Sequence, residues 1–510
     1  MEQQICSDQS DVFSFLADPA THELRESVIR IDTHGAAVFL AGKNVYKVKR
    51  AVRFPFMDFS TLDKRRRACE RELAVNKADA PGLYLGVVPI SKDGSQLKFG
   101  CGGTIVEWAV HLRRFDESRT LDRLAERNEL TLEIIAKLAA VVAASHRRAP
   151  MIGGANAGQA LQNQIEETLV SLEAVPEIFT PQSVAGLRHA MQQAFARLAP
   201  LLVERENQGL VRRCHGDLHL RNIVLIEDRP VLFDAIEFDE AIATCDVLYD
   251  LAFLLMDLWT RGLRRHANLL FNRYLWICDD LERQLKGLSL LPLFLSLRAA
   301  IRAKVTILQP GSNTDHAKDA RRHFEAACDL LAPHRLDLIA IGGLSGTGKS
   351  SLAAALAASI GRAPGAVHLR SDIERKRLYG VHEFDRLPDE AYRLDATART
   401  YQRLCDLAAT ALDAGQSVVV DAVHLRPEER VAVKQVASRG QAHFTGLWLE
   451  GPIDTLMERI AKRRKDASDA TADIVSAQAE QPTGTVDWLH VDASSPLEAI
   501  AGRALAAIVG

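Results

Sequence analysis

Two stretches of this chain hold residues whose types and spacing do phosphate chemistry. The first is Gly343-Leu344-Ser345-Gly346-Thr347-Gly348-Lys349-Ser350, which fits the pattern G-x-x-x-x-G-K-[ST]. Its glycines let successive N–H groups curl round phosphate oxygens at a helix N-terminus, where the helix dipole also favours anions. Gly343, Ser345, Gly346, Thr347, Gly348, Lys349, Ser350 and Ser351 are therefore the candidates for holding a nucleotide. Lys349 would reach the β- and γ-phosphates, and the Ser350 hydroxyl would ligate Mg²⁺. The second stretch is His215-Gly216-Asp217-Leu218-His219-Leu220-Arg221-Asn222, followed by Val231-Leu232-Phe233-Asp234. Phosphoryl transfer asks for a base near the acceptor hydroxyl and oxygen ligands for Mg²⁺, with little covalent work from the protein. Asp217 is the candidate base, and Asn222 and Asp234 are the candidate metal ligands.

Both stretches need elements to position them. The run LDLIAIGG before Gly343 is short and continuously apolar, as a buried parallel strand is, and SLAAALAAS after it reads as a helix. Further strand-like runs fall at 366–370, 417–422 and 443–450, with helical stretches between them, which implies βαβ units and a parallel sheet. Earlier in the chain, residues 36–48 read as a hairpin about Gly42-Lys43-Asn44, 60–78 as a charged helix, and 83–110 as short strands. Residues 120–210 and 245–330 carry helical spacing, with a small hairpin between them at 211–240. Ala332-Pro333-His334 interrupts the pattern, so the expected domains are 1–334 and 335–510.

The stretch His215–Asn222 sits in a region that resembles the aminoglycoside phosphotransferase and choline kinase branch of the protein-kinase-like fold, whose loop reads H-G-D-x-H-x-x-N. The resemblance covers roughly residues 25–330. It implies a bilobal domain, with a β-rich small lobe at about 25–110 and a helical large lobe at about 111–334. Tyr46-Lys47-Val48-Lys49 resembles the strand that carries the ATP-binding lysine; Lys47 is the first choice and Lys49 the alternative. Glu72, or failing it Glu70, would orient that lysine from the charged helix. His215 would buttress the loop, Val106–Val110 would be the hinge that meets adenine, and Asp246 and Asp250 would give structural support.

The region that holds Gly343–Ser350 resembles small-molecule P-loop kinases of the gluconate kinase and zeta-toxin type. Those place an Asp after the second strand, matched here by Ser371-Asp372, and the resemblance makes Asp372 the acceptor of the substrate hydroxyl proton. Arg375 and Lys376 would bind an anionic substrate group. Asp421, at the end of the strand SVVV, is a Walker-B-like carboxylate for Mg²⁺. Arg459 and Arg463, four apart on a helix, are candidate lid arginines, with Arg463 acting on the transferring phosphoryl group. Asp466-Ala467-Ser468-Asp469-Ala470-Thr471 resembles the stretch after that lid, for which capping of the next helix is the one role the residues suggest. The expected fold is thus a kinase-like domain followed by a P-loop NTPase domain whose parallel sheet is flanked by helices.

Composition narrows the partners. A net charge of −3 supplies no basic field for nucleic acid, and the second domain is poor in stacking aromatics. The eight cysteines are scattered without a C-x-x-C pair, as reduced cytosolic thiols are. The N-terminus lacks a signal-like apolar region, and no apolar run nears the roughly 20 residues that span a bilayer. A cytoplasmic, ATP- and Mg²⁺-dependent enzyme is expected, acting on hydroxyls of small molecules such as sugars or sugar-like alcohols. The competing readings are phosphorylation of nucleic-acid ends by the second domain, or one domain serving as an ATP-binding regulatory module. The sequence sets no oligomeric state.

Overall fold

The computed structural model describes residues 4–5, 7–54, 57–308, 314–462 and 467–509. The chain packs as two compact units, Met1–Asn163 with Leu202–Leu254, and Gln164–Leu201 with Leu255–Gly510. The boundary expected at 334/335 lies inside the second unit.

In the first unit the leading strands are β1 (Ile29–Asp32), β2 (Ala36–Ala41) and β3 (Asn44–Lys49). Gly42, at φ 55°, supports the tight β2–β3 turn. Helix α1 (Leu62–Asn76) follows; the Thr61 hydroxyl caps it by accepting from Lys64 N–H. Strands β4 (Tyr84–Asp93), β5 (Gln96–Phe99) and β6 (Thr104–Arg113) complete an antiparallel sheet of order β1-β2-β3-β6-β4-β5. Where short strands were expected, β4 and β6 each run for ten residues, with register shifts at Tyr84/Gly86 and Ile90/Ser91. Val106–Val110 is the interior of β6, and Ala109 and Val110 pair with both β3 and β4. That segment is sheet core rather than a hinge. Helix α2 (Leu132–Arg148) buries an Ile135, Leu138, Ala139, Val142 stripe. The short pairs β7 (Val211–Arg213) with β10 (Thr244–Asp246), and β8 (Ile223–Ile226) with β9 (Arg229–Leu232), frame the loop 214–222.

In the second unit, helix α3 (Arg264–Ile277) precedes the strand β11 (Asp337–Gly343), every residue of which is buried. Helix α4 (Lys349–Ala357), strand β12 (Val367–Arg370), helix α5 (Ser371–Leu378), helix α6 (Leu394–Asp413) and strand β13 (Val418–Asp421) alternate as βαβ units do. Strand β14 (His443–Glu450), helix α7 (Ile453–Lys462), helix α8 (Ala472–Ala479), strand β15 (Leu489–Asp492) and helix α9 (Leu497–Val509) finish the unit. The sheet is parallel, ordered β12-β13-β11-β14-β15. Its apolar strands follow the sequence runs; β15 is short, with Val491 its one buried residue, and had no such run to announce it. Helix α3 closes the β12 edge. Asn268 and Asn272 donate to Ala366 O, Asn272 accepts from His368 N–H, and Trp276 donates to His368 O. Side-chain amides thus satisfy an edge that would otherwise present unpaired backbone groups.

Candidate active sites

The first candidate site lies in the first unit. Strand β3 aims Lys47 at α1, where its Nζ donates to Glu72 at 2.9 Å, and at Asp234 Oδ1 at 2.7 Å. Lys49, two residues on and so on the same strand face, is buried and holds Glu72 at 2.5 Å and Glu237 as well. Glu72 is fully buried between the two ammonium groups. Burial alone would lower the Lys47 pKa, but Asp234, Glu72 and Glu237 hold it well above its ordinary value. Burial likewise raises the Glu72 pKa, and the two lysines reverse that and keep it ionised.

The loop 214–222 brings the candidate base Asp217 and the candidate ligand Asn222 together. Asn222 Nδ2 donates to Asp217 Oδ2 at 2.8 Å and to Asp217 O at 3.0 Å, so the amide oxygen is the atom with which Asn222 could ligate a cation. His219 Nε2 lies 3.3 Å from Asp217 Oδ2. Asp234 takes a left-handed φ of 62°, and its N–H donates to Tyr84 Oη. The oxygens of Asp234 and Asn222 are the hard donors that Mg²⁺ prefers, so the set fits that ion.

Fully buried Asp250 fixes the loop. It accepts from the N–H groups of His215 (3.3 Å) and Gly216 (2.8 Å), and His146 Nε2 lies 3.2 Å away. His146, Cys214 and Asp250 would be close enough to ligate one ion, but the Asp250 oxygens already serve these donors. Asp246, at the end of β10, is clamped by Arg205 at 2.6 and 2.8 Å. His215 Nε2 meets Phe233 O at 3.0 Å and ties the loop to the Asp234 segment.

The second candidate site lies at the carboxyl ends of β11, β12 and β13, the usual ligand crevice of an open parallel sheet. Register sets Asp421 beside both Ile341 and Arg370. Gly343 (φ 127°) and Gly346 (φ 88°) take backbone shapes closed to other residues here, because a Cβ would stand 2.3 Å from Leu449 O and 2.7 Å from Leu456 O. Gly348, at φ 90°, opens α4 at Lys349. Lys349 Nζ donates to Gly343 O (2.9 Å) and Leu344 O (2.8 Å), Thr347 Oγ1 donates to Leu344 O, and Ser345 N–H donates to Gln478 Oε1 at 2.9 Å. Ser350 and Ser351 follow in the first turn of α4.

Asp421 is buried, 3.3 Å from His368 Nε2 and 3.6 Å from Arg370 Nε. Burial opposes its charge, yet His368 and Arg370 hold the carboxyl far below the ordinary range. Burial also lowers the His368 pKa and leaves a neutral ring that donates to Asp421. With its oxygens so engaged, Asp421 fits a water-mediated hold on Mg²⁺ with Ser350 as the direct ligand. Asp372 stands in the first turn of α5, past the N-cap Arg370, where the helix dipole favours its charge. Arg375 donates to Ala391 O and Thr397 Oγ1, and Lys376 to Glu383 O and Asp469. These two cations, expected to meet an anionic substrate group, hold partners within the protein. Arg459 donates to Ala493 O, and Arg463 lies outside the described residues.

Two known families match separate stretches of the chain. Residues 102–288 match the phosphotransferase enzyme family, and residues 338–483 match an AAA domain. The chain joins a phosphotransferase-family domain to a P-loop kinase domain. Uncharacterized proteins of Mycobacterium tuberculosis and Mycobacterium bovis are 28% identical over 482 residues, covering 93% of this chain and 94% of each relative. A gluconokinase from Sinorhizobium meliloti matches at 24% identity and TM-score 0.26, over 34% of this chain and 94% of its own. A choline/ethanolamine kinase family protein from Mesorhizobium loti matches at 14% identity and TM-score 0.40, over 63% and 94%.

The first unit brings Lys47, Glu72, Asp217, Asn222 and Asp234 into one neighbourhood. The P-loop domain does so for the loop 343–350 and Asp421. Sequence reasoning missed Glu237, His368 and Gln478. Glu237 lay three residues past a motif and His368 inside an apolar strand, so neither had a pattern of its own. Among the described residues no helix is long and apolar enough to cross a membrane.

Proposed function

We propose that the protein transfers the γ-phosphoryl group of ATP to hydroxyls of small molecules at two Mg²⁺-dependent sites, with sugars or sugar-like alcohols as the acceptor class. The observation that carries this reading is the Lys47–Glu72 ion pair. It stands against Asp234 and shares its unit with the hydrogen-bonded Asp217–Asn222 pair. In this reading Lys47 binds nucleotide phosphates and Glu72 orients it. Asp217 accepts the proton of the acceptor hydroxyl as the oxygen attacks phosphorus, and Asn222 with Asp234 holds Mg²⁺. In the P-loop domain Lys349 and the loop amides bind the phosphates, Asp372 accepts the hydroxyl proton, and Ser350 with Asp421 holds Mg²⁺. Arg463 is assigned to the transferring phosphoryl group. Mg²⁺ at either site would neutralise charge on the phosphates.

The test is ATP consumption across a panel of sugars, polyols, aminoglycosides and nucleosides, comparing wild type with Asp217→Asn and Lys349→Ala. Acceptor-dependent turnover lost in one variant and kept in the other assigns that acceptor to a domain. Turnover unchanged in both variants refutes the assignment of both sites.

A further inference from the structure

The stretch 469–478 ties the two sides of the P-loop site together. At one end Asp469 accepts from Lys376 Nζ (3.1 Å), Leu387 N–H (3.0 Å) and Tyr392 Oη (2.8 Å). Lys376 is almost wholly buried and lies four residues from Asp372, hence on the same face of α5. At the other end Gln478, on α8, places its amide oxygen 2.9 Å from the N–H of Ser345 in the phosphate loop. Between them the Thr471 hydroxyl caps α8 by accepting from Ile474 N–H, and Val475 is fully buried. The capped, seated helix is a stiff link between a loop amide and the helix of Asp372.

An amide oxygen on Ser345 N–H occupies a donor of the kind that a phosphate-binding loop offers to phosphate oxygens. One N–H aimed at one point serves one strong acceptor well. We propose that Gln478 is a phosphate-responsive positioning residue. A nucleotide phosphate oxygen takes the Ser345 N–H from Gln478, and the displaced α8 acts through Asp469 on Lys376 and Tyr392, resetting the acceptor side around Asp372. The proposal rests on the P-loop domain's reading as an ATP site, and it gives Asp469 a role beyond helix capping.

The test uses the full chain carrying Lys47→Met, so that the first site contributes little nucleotide binding, and calorimetry with the β,γ-imido analogue of ATP. Gln478→Ala removes a competitor worth one neutral hydrogen bond and should tighten binding about two- to tenfold. Gln478→Glu keeps the shape but sets a carboxylate on the amide and beside the phosphates, so binding should weaken at least about tenfold. Hydrogen exchange supplies the second readout. Nucleotide should change exchange in both 472–480 and 383–392, and Asp469→Asn should abolish the response of 383–392 alone. A purely structural Gln478 would shift both variants in the same direction, and that result overturns the proposal. So does unaltered exchange at 472–480 with nucleotide bound. If Lys349→Ala leaves analogue binding intact, the ATP-site reading itself falls; if Lys349→Ala abolishes binding while the Gln478 variants match wild type, the positioning role alone falls.

Discussion

Lys47 and Lys49 differ by two positions and share one carboxylate, yet their substitution should separate function from stability. Lys49 is almost wholly buried between Glu72 and Glu237. Lys49→Met strands the Glu237 charge and leaves Glu72 with Lys47 alone. Breaking a buried pair from one side costs about 3–5 kcal/mol, because an uncompensated charge stays in a low-dielectric setting. Lys47 is more open, its side chain 18% exposed. In Lys47→Met, Glu72 keeps Lys49 at 2.5 Å and Asp234, with a side chain 45% exposed, can be hydrated, so the cost should be about 1–2 kcal/mol. Function should run the other way. A charge-assisted contact to phosphate is worth about 1.5–3 kcal/mol, so Lys47→Met should weaken nucleotide binding at the first site by roughly 10- to 100-fold. The assay is urea unfolding alongside calorimetric titration with the imido analogue, in a Lys349→Ala background that silences the P-loop site. A Lys49→Met protein of normal stability that no longer binds nucleotide, beside a Lys47→Met protein that still does, would refute the assignment.

Three further outcomes follow from particular contacts. Lys349→Ala should lower nucleotide affinity of the P-loop site by at least about tenfold in calorimetry while the thermal midpoint moves little, because the ammonium's donation to two loop carbonyls is worth little net stability. Gly343→Ala should destabilise the second unit by more than about 3 kcal/mol and drop out of soluble expression, since a Cβ would meet Leu449 O at 2.3 Å from a backbone at φ 127°. His424 is buried with neither ring nitrogen bonded, and burial lowers its pKa to about 3. The unfolded chain binds that proton near pH 6.5 and the folded chain does not, so stability is full above about pH 6.5 and is lost as pH falls. Between pH 7 and pH 5 this one group should cost about 2 kcal/mol, a slope that His424→Asn removes when urea midpoints are compared at the two pH values.

The sequence was most legible where chemistry depends on adjacent residues. The phosphate loop needs glycines at 343, 346 and 348 for backbone reasons alone, and the loop 215–222 needs Asp217 and Asn222 on one turn, so both patterns survive without a fold in hand. The strands of the parallel sheet were readable because burial on both faces demands continuous apolar runs, and the exposed edge strand Leu489–Asp492 escaped because it makes no such demand. Partners separated by long stretches of chain were harder. Glu237 is 188 residues from Lys49, and nothing local marks it as the second carboxylate on that lysine. The internal partners of Arg375 and Lys376 were equally hidden. A local pair of cations beside Asp372 looks like an anion site, and only the fold shows that they donate to Ala391, Thr397, Glu383 and Asp469.

A common logic links the two unrelated sites. On the proposed reading each holds a lysine for phosphates, and in each that lysine already has strong partners within the protein: Glu72 and Asp234 for Lys47, the Gly343 and Leu344 carbonyls for Lys349. A buried ammonium or amide without a partner is costly, so a fold that must keep such donors ready for a ligand supplies stand-ins for it. Nucleotide binding is then an exchange of acceptors, and its free energy is the difference between phosphate and stand-in rather than the full worth of each contact. The stand-ins differ in kind. Those at Lys349 are backbone and cannot be tuned by substitution, whereas Glu72, Asp234 and Gln478 are side chains that can. Affinity at the first site should therefore respond to the charge of its carboxylates, and affinity at the second to the single amide on Ser345, although both sites use one lysine for the same polyanion.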